Sequence, residues 1–305
     1  VLESDVYLFK PRKAYRFHPK TGSPSYSASA NINYFLKEPV EGGIKIRIKD
    51  KEGNVIATPR AYNSAGINRV SWNMRHPGAD PIKLRIKPEG NPTVVEEKRY
   101  RETWIKKGWY PFQSWGTSGG LYGYMISPGT YTIELEANGL VQTEELVVLK
   151  DPSSAGSQAE IEENVEFLHT LQKDINLATN IINEIEWIRK QIADQINYLE
   201  SNYPKPDKPC PFKAMDDKFA EVENQLLQKI SREGDSKSFR YPNKLYSKLS
   251  VLAGDAGKNF DFAPNKQQKE VYKVLHQRLM DVNDQYKTLI SNDLKAFNKE
   301  LKQLG

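Results

Sequence analysis

The segment Asp151-Pro-Ser-Ser-Ala-Gly-Ser157 separates two different hydrophobic patterns, and this change decides the fold class. Before it, apolar residues alternate with charged ones, as in Ile44-Lys-Ile-Arg-Ile-Lys49, which is typical of a strand that buries one face. After it, apolar residues recur three or four positions apart from Ile175 to Leu199, which is typical of an amphipathic helix. The sequence therefore predicts a β domain over residues 1–150 and an α domain over residues 151–305.

Turn signals join the predicted strands into antiparallel pairs. Asp50-Lys-Glu-Gly-Asn54 indicates a hairpin turn in which Gly53 has a positive φ, and Asn138-Gly139 is typical of a two-residue hairpin. Ser127-Pro-Gly-Thr130 indicates a type II turn with Gly129 at its third position. Six or seven short strands with such turns predict an antiparallel β-sandwich.

Charge is distributed unevenly between the two predicted domains. Residues 1–150 contain 22 Lys and Arg against 15 Asp and Glu, whereas residues 151–305 contain 22 against 24. Residues 1–25 are basic and are expected to form an irregular arm. The densest charged run, Glu96–Glu102, alternates in sign, so the basic surplus predicts a solvated surface and no nucleic-acid interface.

A long aromatic insertion, residues 77–125, interrupts the predicted strands. Connections longer than about 12–15 residues are usually functional or disordered. Aromatic side chains supply a large contact area for a glycan or a protein. The candidate binding residues are Trp104, Trp109, Tyr110, Trp115, Tyr122 and Tyr124. The alternative is that these aromatics form an additional core over the sandwich or contact a neighbouring domain.

Helical periodicity predicts two long helices, at residues 157–201 and 265–304, with a helix at 212–232 and a shorter one at 242–252 between them. An antiparallel bundle of three to four helices would bury all of these apolar stripes. The stripes are interpreted as aliphatic throughout. A metal site of the Glu-x-x-His type would need inward carboxylates, and none is expected. No apolar run approaches the roughly 20 residues of a membrane span.

Candidate catalytic residues do not form a constellation in the sequence. Gly116-Thr-Ser-Gly-Gly120 matches the G-x-S-x-G pattern around Ser118, but the strand and helix that this motif needs are not predicted around it. The four histidines are interpreted as isolated residues without metal-ligand spacing: His18, His76, His169 and His276. Cys210 is the only cysteine, so no internal disulfide is possible. We therefore predict no catalytic site, no metal and no cofactor.

Several segments resemble a known family. Gly66-Ile-Asn-Arg-Val-Ser-Trp72 and Ser127-Pro-Gly-Thr-Tyr-Thr-Ile133 resemble the immunoglobulin-like domain of the flagellar hook-capping (FlgD-like) type. A wider set resembles the C-terminal region of large bacterial proteins that begin with a BNR/sortilin-type β-propeller and are often labelled glycosyl hydrolases. The segments of this set, in order, are Asp5–Pro11, Tyr15–Phe17, Ile32–Leu36, Gly66–Arg75 and Phe239–Leu245.

The resemblance implies a non-catalytic structural or docking region of a larger exported protein. It implies an Ig-like sandwich followed by the helical bundle, with any hydrolase activity in a propeller that this chain does not contain. The implied partners are that propeller and a further protein or glycan, and the implied location is extracytoplasmic. Residue 1 is Val and no signal peptide is present, so we expect a piece of a longer protein. The alternative function is a binding module that uses the aromatic loop Trp104–Tyr124.

Overall fold

The computed structural model of the chain describes residues 4–17, 29–87, 106–111, 123–202, 211–229 and 241–303. Strands come first in these residues and helices follow, as the change of period predicts. Contacts divide the chain into two compact units. The first unit comprises Val1–Gly78, Gly123–His169 and Gly257–Pro264. The second unit comprises Ala79–Tyr122, Thr170–Ala256 and Asn265–Gly305. The domain boundary after residue 150 stays a prediction.

The strands in the described residues form two larger sheets and one small ladder. In chain order they are β1 (Val6–Leu8), β2 (Ala14–Arg16), β3 (Ala30–Leu36), β4 (Lys45–Lys49), β5 (Val55–Ala57), β6 (Gly66–Trp72), β7 (Lys83–Leu84), β8 (Tyr110–Pro111), β9 (Gly129–Ala137) and β10 (Leu140–Lys150). A three-stranded sheet has the order β1-β3-β6, and a five-stranded sheet has the order β2-β10-β9-β4-β5. All pairs are antiparallel except β2 with β10.

Alternating burial along the strands builds the core of the first unit. On β4, Ile46 and Ile48 are buried, and they lie opposite Leu135 and Ile133 of β9. Buried residues of both larger sheets belong to one hydrophobic cluster. Burying such a side chain contributes about 1.5–3 kcal/mol, so the alternation fixes which face of each strand points inward.

Two predicted hairpin turns are confirmed and the third predicted turn is wrong. Gly53 has a φ of 86°, and Asn138 and Gly139 have φ angles of 50° and 76°. These left-handed values match the twist of the flanking strands. Gly129, in contrast, is the first residue of β9 and lies opposite Val148, so it has no positive φ and forms no type II turn. The β9–β10 ladder extends as far as Gly129, and the extended backbone of a strand excludes the positive φ that a type II turn requires.

The predicted irregular arm contains two short strands. Val6–Leu8 adds to the three-stranded sheet opposite Leu36, and Ala14–Arg16 adds to the five-stranded sheet beside Val148. Arg16 is fully buried and donates to the carbonyl of Phe260. The expectation of an irregular arm was therefore wrong for these residues, because pairing with distant strands orders them.

Four helices follow the strands in the described residues. They are α1 (Gln158–Asn202), α2 (Pro211–Leu226), α3 (Leu245–Lys258) and α4 (Lys266–Thr288), which continues through a π-helical segment (Leu289–Leu294) into Lys295–Gln303. The predicted cap at Ser157 is confirmed, since its hydroxyl accepts from the Glu160 amide at 3.2 Å while its own amide donates to the Glu160 carboxylate at 2.8 Å. Helix α2 ends at Leu226, earlier than predicted. No helix in this part of the chain has the length and apolarity to cross a membrane.

Candidate functional site

The predicted aromatic binding residues that the structure describes are divided between the two units. Trp104, Trp115 and Tyr122 lie outside these residues. Trp109 is half-buried, and Tyr110 is buried in β8 opposite Leu84. Tyr124 is also buried and belongs to the first unit, whereas Trp109 and Tyr110 belong to the second. The aromatic platform therefore stays a prediction.

Two histidines that were predicted to be isolated both contact Tyr124. His169 Nδ1 lies 2.6 Å from the hydroxyl of Tyr124, and the ring of His76 stacks on Tyr124 with centroids 4.3 Å apart. The amide of His76 also donates to the carbonyl of Tyr124 at 2.9 Å. The interpretation of His76 and His169 as isolated residues was therefore wrong, because an α1 residue and the two ends of the insertion converge.

Burial shifts the pKa values of His76 and Tyr124 in this cluster. Loss of solvent, with a smaller contribution from charge repulsion by His169, lowers the pKa of His76 to about 4. Burial also raises the pKa of Tyr124, so the phenol stays neutral at physiological pH. Gly123 permits the close packing of this region, since a Cβ at this position would lie 1.7 Å from the carbonyl oxygen of His76. The neutral His76 ring and the neutral Tyr124 phenol therefore pack together where the insertion begins and ends.

A pair of buried carboxylates is the arrangement in the described residues that comes closest to an acid–base site. Glu186 of α1 and Glu223 of α2 are both 0% exposed. Lys229 Nζ lies 3.2 Å from Oε1 of Glu186 and 2.7 Å from Oε2 of Glu223. The interpretation of the helical stripes as aliphatic throughout was therefore wrong.

Two further charged residues complete this carboxylate cluster. Arg189 donates to Oε2 of Glu223 at 2.7 Å and makes two hydrogen bonds with Asp216, at 2.8 and 2.9 Å. The cluster thus contains three carboxylates and two cations, so full ionisation would leave one surplus negative charge in a buried place. Oε1 of Glu223 is buried and accepts no hydrogen bond from any residue that the structure describes.

A proton on Glu223 removes this surplus charge. Burial raises the pKa of Glu223 to about 7, and the neighbouring Glu186 adds to this rise. Burial would also raise the pKa of Glu186, but its hydrogen bonds and the charge of Lys229 leave it below the usual value. Glu186 is therefore the ionised member of the pair, and Glu223 carries the proton below about pH 7.

Glu186 also binds the backbone of residues 79–87. Its Oε2 accepts from the amides of Arg85, at 2.5 Å, and Ile86, at 2.8 Å. Asn183, one turn earlier on α1, accepts from the amide of Lys83 at 2.8 Å. The guanidinium carbon of Arg85 lies 3.8 Å from the ring centroid of Trp187. The 79–87 segment is thus attached to α1 by side chains of that helix.

The sequence contains a signal for these buried carboxylates. Glu186 follows Ile182 by four positions, and Glu223 follows Phe219 by four positions, so each acid lies on the apolar face of its helix. A charged residue on such a face is rarely fully buried unless it has a partner. This placement therefore indicates a buried ion pair, although it does not identify the partner.

A second pair of titratable side chains joins α4 to α1. His276 Nδ1 lies 2.8 Å from Oδ2 of Asp174, and the hydroxyl of Tyr272 lies 3.4 Å from the same nitrogen. Burial raises the pKa of Tyr272, and Asp174 raises it further. Among the residues the structure describes, no group of three or more His, Cys, Asp or Glu is placed to hold a metal ion. Ser118, His18 and Cys210 lie outside those residues.

A groove with basic walls lies on the outer face of the three-stranded sheet. We call it the basic groove, and its volume is about 620 Å³. Its lining residues are Phe9, Lys10, Arg12, Lys13, Ala14, Ser29, Ala30, Asn31, Asn33, Ile67 and Arg69. The lining therefore contains four cations and no acid.

Comparison of the chain with protein-family models, with curated proteins and with solved structures found no match.

Proposed function

We propose that this chain is a non-catalytic structural and docking region of a larger exported protein with a β-propeller. The contacts of Glu186 are the observation that supports the absence of catalysis in this proposal. Its two oxygens bind the Lys229 ammonium group and the amides of Arg85 and Ile86. A carboxylate that holds the protein's own backbone and an internal cation stabilises the fold, and it has no oxygen left to act on a substrate.

Inaccessibility of the pair supports the same proposal. A general acid or base must come within hydrogen-bonding distance of the substrate proton, either directly or through one water. Glu186 and Glu223 are both 0% exposed and lie between α1, α2 and the 79–87 segment. A substrate would have to displace that segment before it could reach either carboxylate.

The finer architecture is part of the proposal. We propose that residues 1–150 form an Ig-like sandwich and that residues 151–305 form a helical bundle. Two sheets with one shared hydrophobic cluster support the sandwich, and the four described helices that follow the strands support the bundle. The propeller as partner and the extracytoplasmic location follow from the sequence resemblance alone.

Activity assays test the non-catalytic part. The purified chain should not turn over chromogenic glycosides or esters, and a fluorophosphonate should form no adduct on Ser118. Turnover that is lost in Glu186→Gln or Ser118→Ala, but kept in the matched surface variant Glu221→Gln, would contradict the proposal.

Characterisation of the full-length gene product tests the docking part. Peptide mapping should identify propeller repeats in the same polypeptide, and limited proteolysis should release this chain in a complex that co-elutes with them on size-exclusion chromatography. A gene product without propeller repeats, or a propeller that elutes separately, would contradict docking.

A further inference from the structure

We propose that the basic groove binds an oligosaccharide that carries carboxylate or sulfate groups. This binding activity goes beyond the docking role and does not depend on it. The ligand class follows from three properties of the groove: its charge, its neutral lining and its position on a sheet face.

The charge of the groove favours an anionic ligand. Lys10, Arg12 and Lys13 are exposed on the connection between β1 and β2, and none of them forms an ion pair with another described residue. Arg69 of β6 completes the set; its Nε donates to Asn33 at 2.8 Å. Because guanidinium groups match the geometry of carboxylate and sulfate groups, the two arginines supply both attraction and orientation.

The neutral lining of the groove matches a sugar. Asn31 and Asn33 point outward from β3. Their side-chain oxygens accept from Ser71 and Arg69, so their NH2 groups supply the donors for sugar hydroxyl groups. Ile67 is 75% exposed, and Phe9 lies at the same groove. These apolar side chains offer a surface for the C–H face of a pyranose ring. Binding of a simple anion would require only the four cations, so the amide and apolar side chains favour a sugar.

The position of the groove disfavours an extended peptide. Peptides that add to a sheet bind along an edge strand, where backbone N–H and C=O groups are unpaired. The groove instead lies across the outer face, and its central strand β3 is paired on both sides, with β1 and with β6. Recognition therefore depends on side chains.

The size of the groove fits the proposed ligand. A volume of about 620 Å³ lies within the usual range for small-molecule sites and accommodates a short oligosaccharide.

Calorimetric titration of the whole chain at low salt tests the proposal. The probes are tetragalacturonate, a sulfated tetrasaccharide, neutral maltotetraose and tetraglutamate. We expect at least one acidic tetrasaccharide to bind, with maltotetraose and tetraglutamate each at least about tenfold weaker. The variant Lys10→Gln/Arg12→Gln/Lys13→Gln should weaken the binding of the acidic sugar about tenfold, since each exposed charge contact contributes modestly.

A matched variant distinguishes a site from general charge attraction. Lys37→Gln/Lys51→Gln/Arg60→Gln removes the same charge from exposed positions of the first unit that do not line the groove. It should keep wild-type affinity. Equal loss in both triple variants, equal binding of tetraglutamate and acidic sugar, or no binding of either acidic tetrasaccharide would overturn the proposal. All six side chains are exposed, so we expect both variants to fold. Circular dichroism checks this.

Discussion

Glu186 and Glu223 share one buried place in the second unit, with the ammonium group of Lys229 3.2 Å from the first carboxylate and 2.7 Å from the second. The two acids belong to different helices, so their common partner joins α1 to the end of α2. Removal of one partner from a buried charge cluster leaves an uncompensated charge, which is costly. The stability of the helical part should therefore respond strongly to these residues and to the proton on Glu223.

The unfolding free energy should decrease between pH 5 and pH 8 because of Glu223. Burial, together with Glu186, raises the pKa of Glu223 from 4.5 to about 7 in the folded chain. The stabilising contribution of this raised pKa is complete below pH 4.5 and is lost as the pH rises through about 7. The wild type should lose about 3 kcal/mol more than Glu223→Gln over this range. Glu186, whose pKa is lowered, acts only at more acidic pH.

Urea denaturation at both pH values, followed by circular dichroism at 222 nm, measures this difference. Glu221→Gln provides the matched control, since Glu221 is exposed on the same helix. The control should keep the pH dependence of the wild type. Parallel pH profiles for the wild type and Glu223→Gln would show that Glu223 is ionised throughout.

Asn183→Ala should destabilise the attachment of the 79–87 segment. The side chain of Asn183 accepts from the amide of Lys83 at 2.8 Å and donates to the carbonyl of Pro81 at 3.2 Å. Loss of two such hydrogen bonds costs about 1–2 kcal/mol. Hydrogen exchange at the Lys83 amide should accelerate accordingly. Asn180→Ala, which alters an exposed position on the same helix, should leave that amide protected.

Arg16→Ala should destabilise the first unit by about 3 kcal/mol. Arg16 is 0% exposed and lies 3.3 Å from both Asp261 and the carbonyl of Phe260. The alanine would leave this carboxylate and this carbonyl without their buried donor. Differential scanning calorimetry measures the loss, and Arg60→Ala at an exposed position is the control. Equal melting temperatures for the two variants would mean that the Arg16 contacts contribute nothing.

His76 should remain neutral to unusually low pH. Burial lowers its pKa from 6.5 to about 4, and the charge of His169 acts in the same direction. A proton NMR titration measures this pKa. The imidazole signal of His76 is identified by its absence in the His76→Gln variant, and its midpoint should lie near pH 4. A midpoint above pH 6 would mean that the ring is open to solvent and that its packing against Tyr124 is wrong.

Periodicity and turn chemistry predicted the longer elements because each depends on neighbouring residues. The alternation in Ile44–Lys49 and the Asn138-Gly139 hairpin need no information from the rest of the chain. Strands β1 and β2 were missed because three residues are too few to show a period. Their pairing partners, Leu36 and Val148, lie far along the sequence.

The candidate sites were harder to predict because they combine residues from distant elements. The outward position of Arg69 follows from alternation along β6, but its place opposite Asn33 depends on strand register. The contact of Tyr124 with His169 likewise requires the insertion to end beside α1. Charged residues on apolar helix faces, such as Glu186, are the feature of the sequence that predicts a buried charge cluster.

The most direct test of the structural role of the carboxylate cluster is amide hydrogen exchange in Glu186→Ala. Because Glu186 binds the amides of Arg85 and Ile86, their exchange should accelerate by about tenfold or more, since each charge-assisted hydrogen bond is worth about 1.5–3 kcal/mol. Unchanged protection of both amides, together with the loss of a hydrolytic activity that the wild type possesses, would contradict the account.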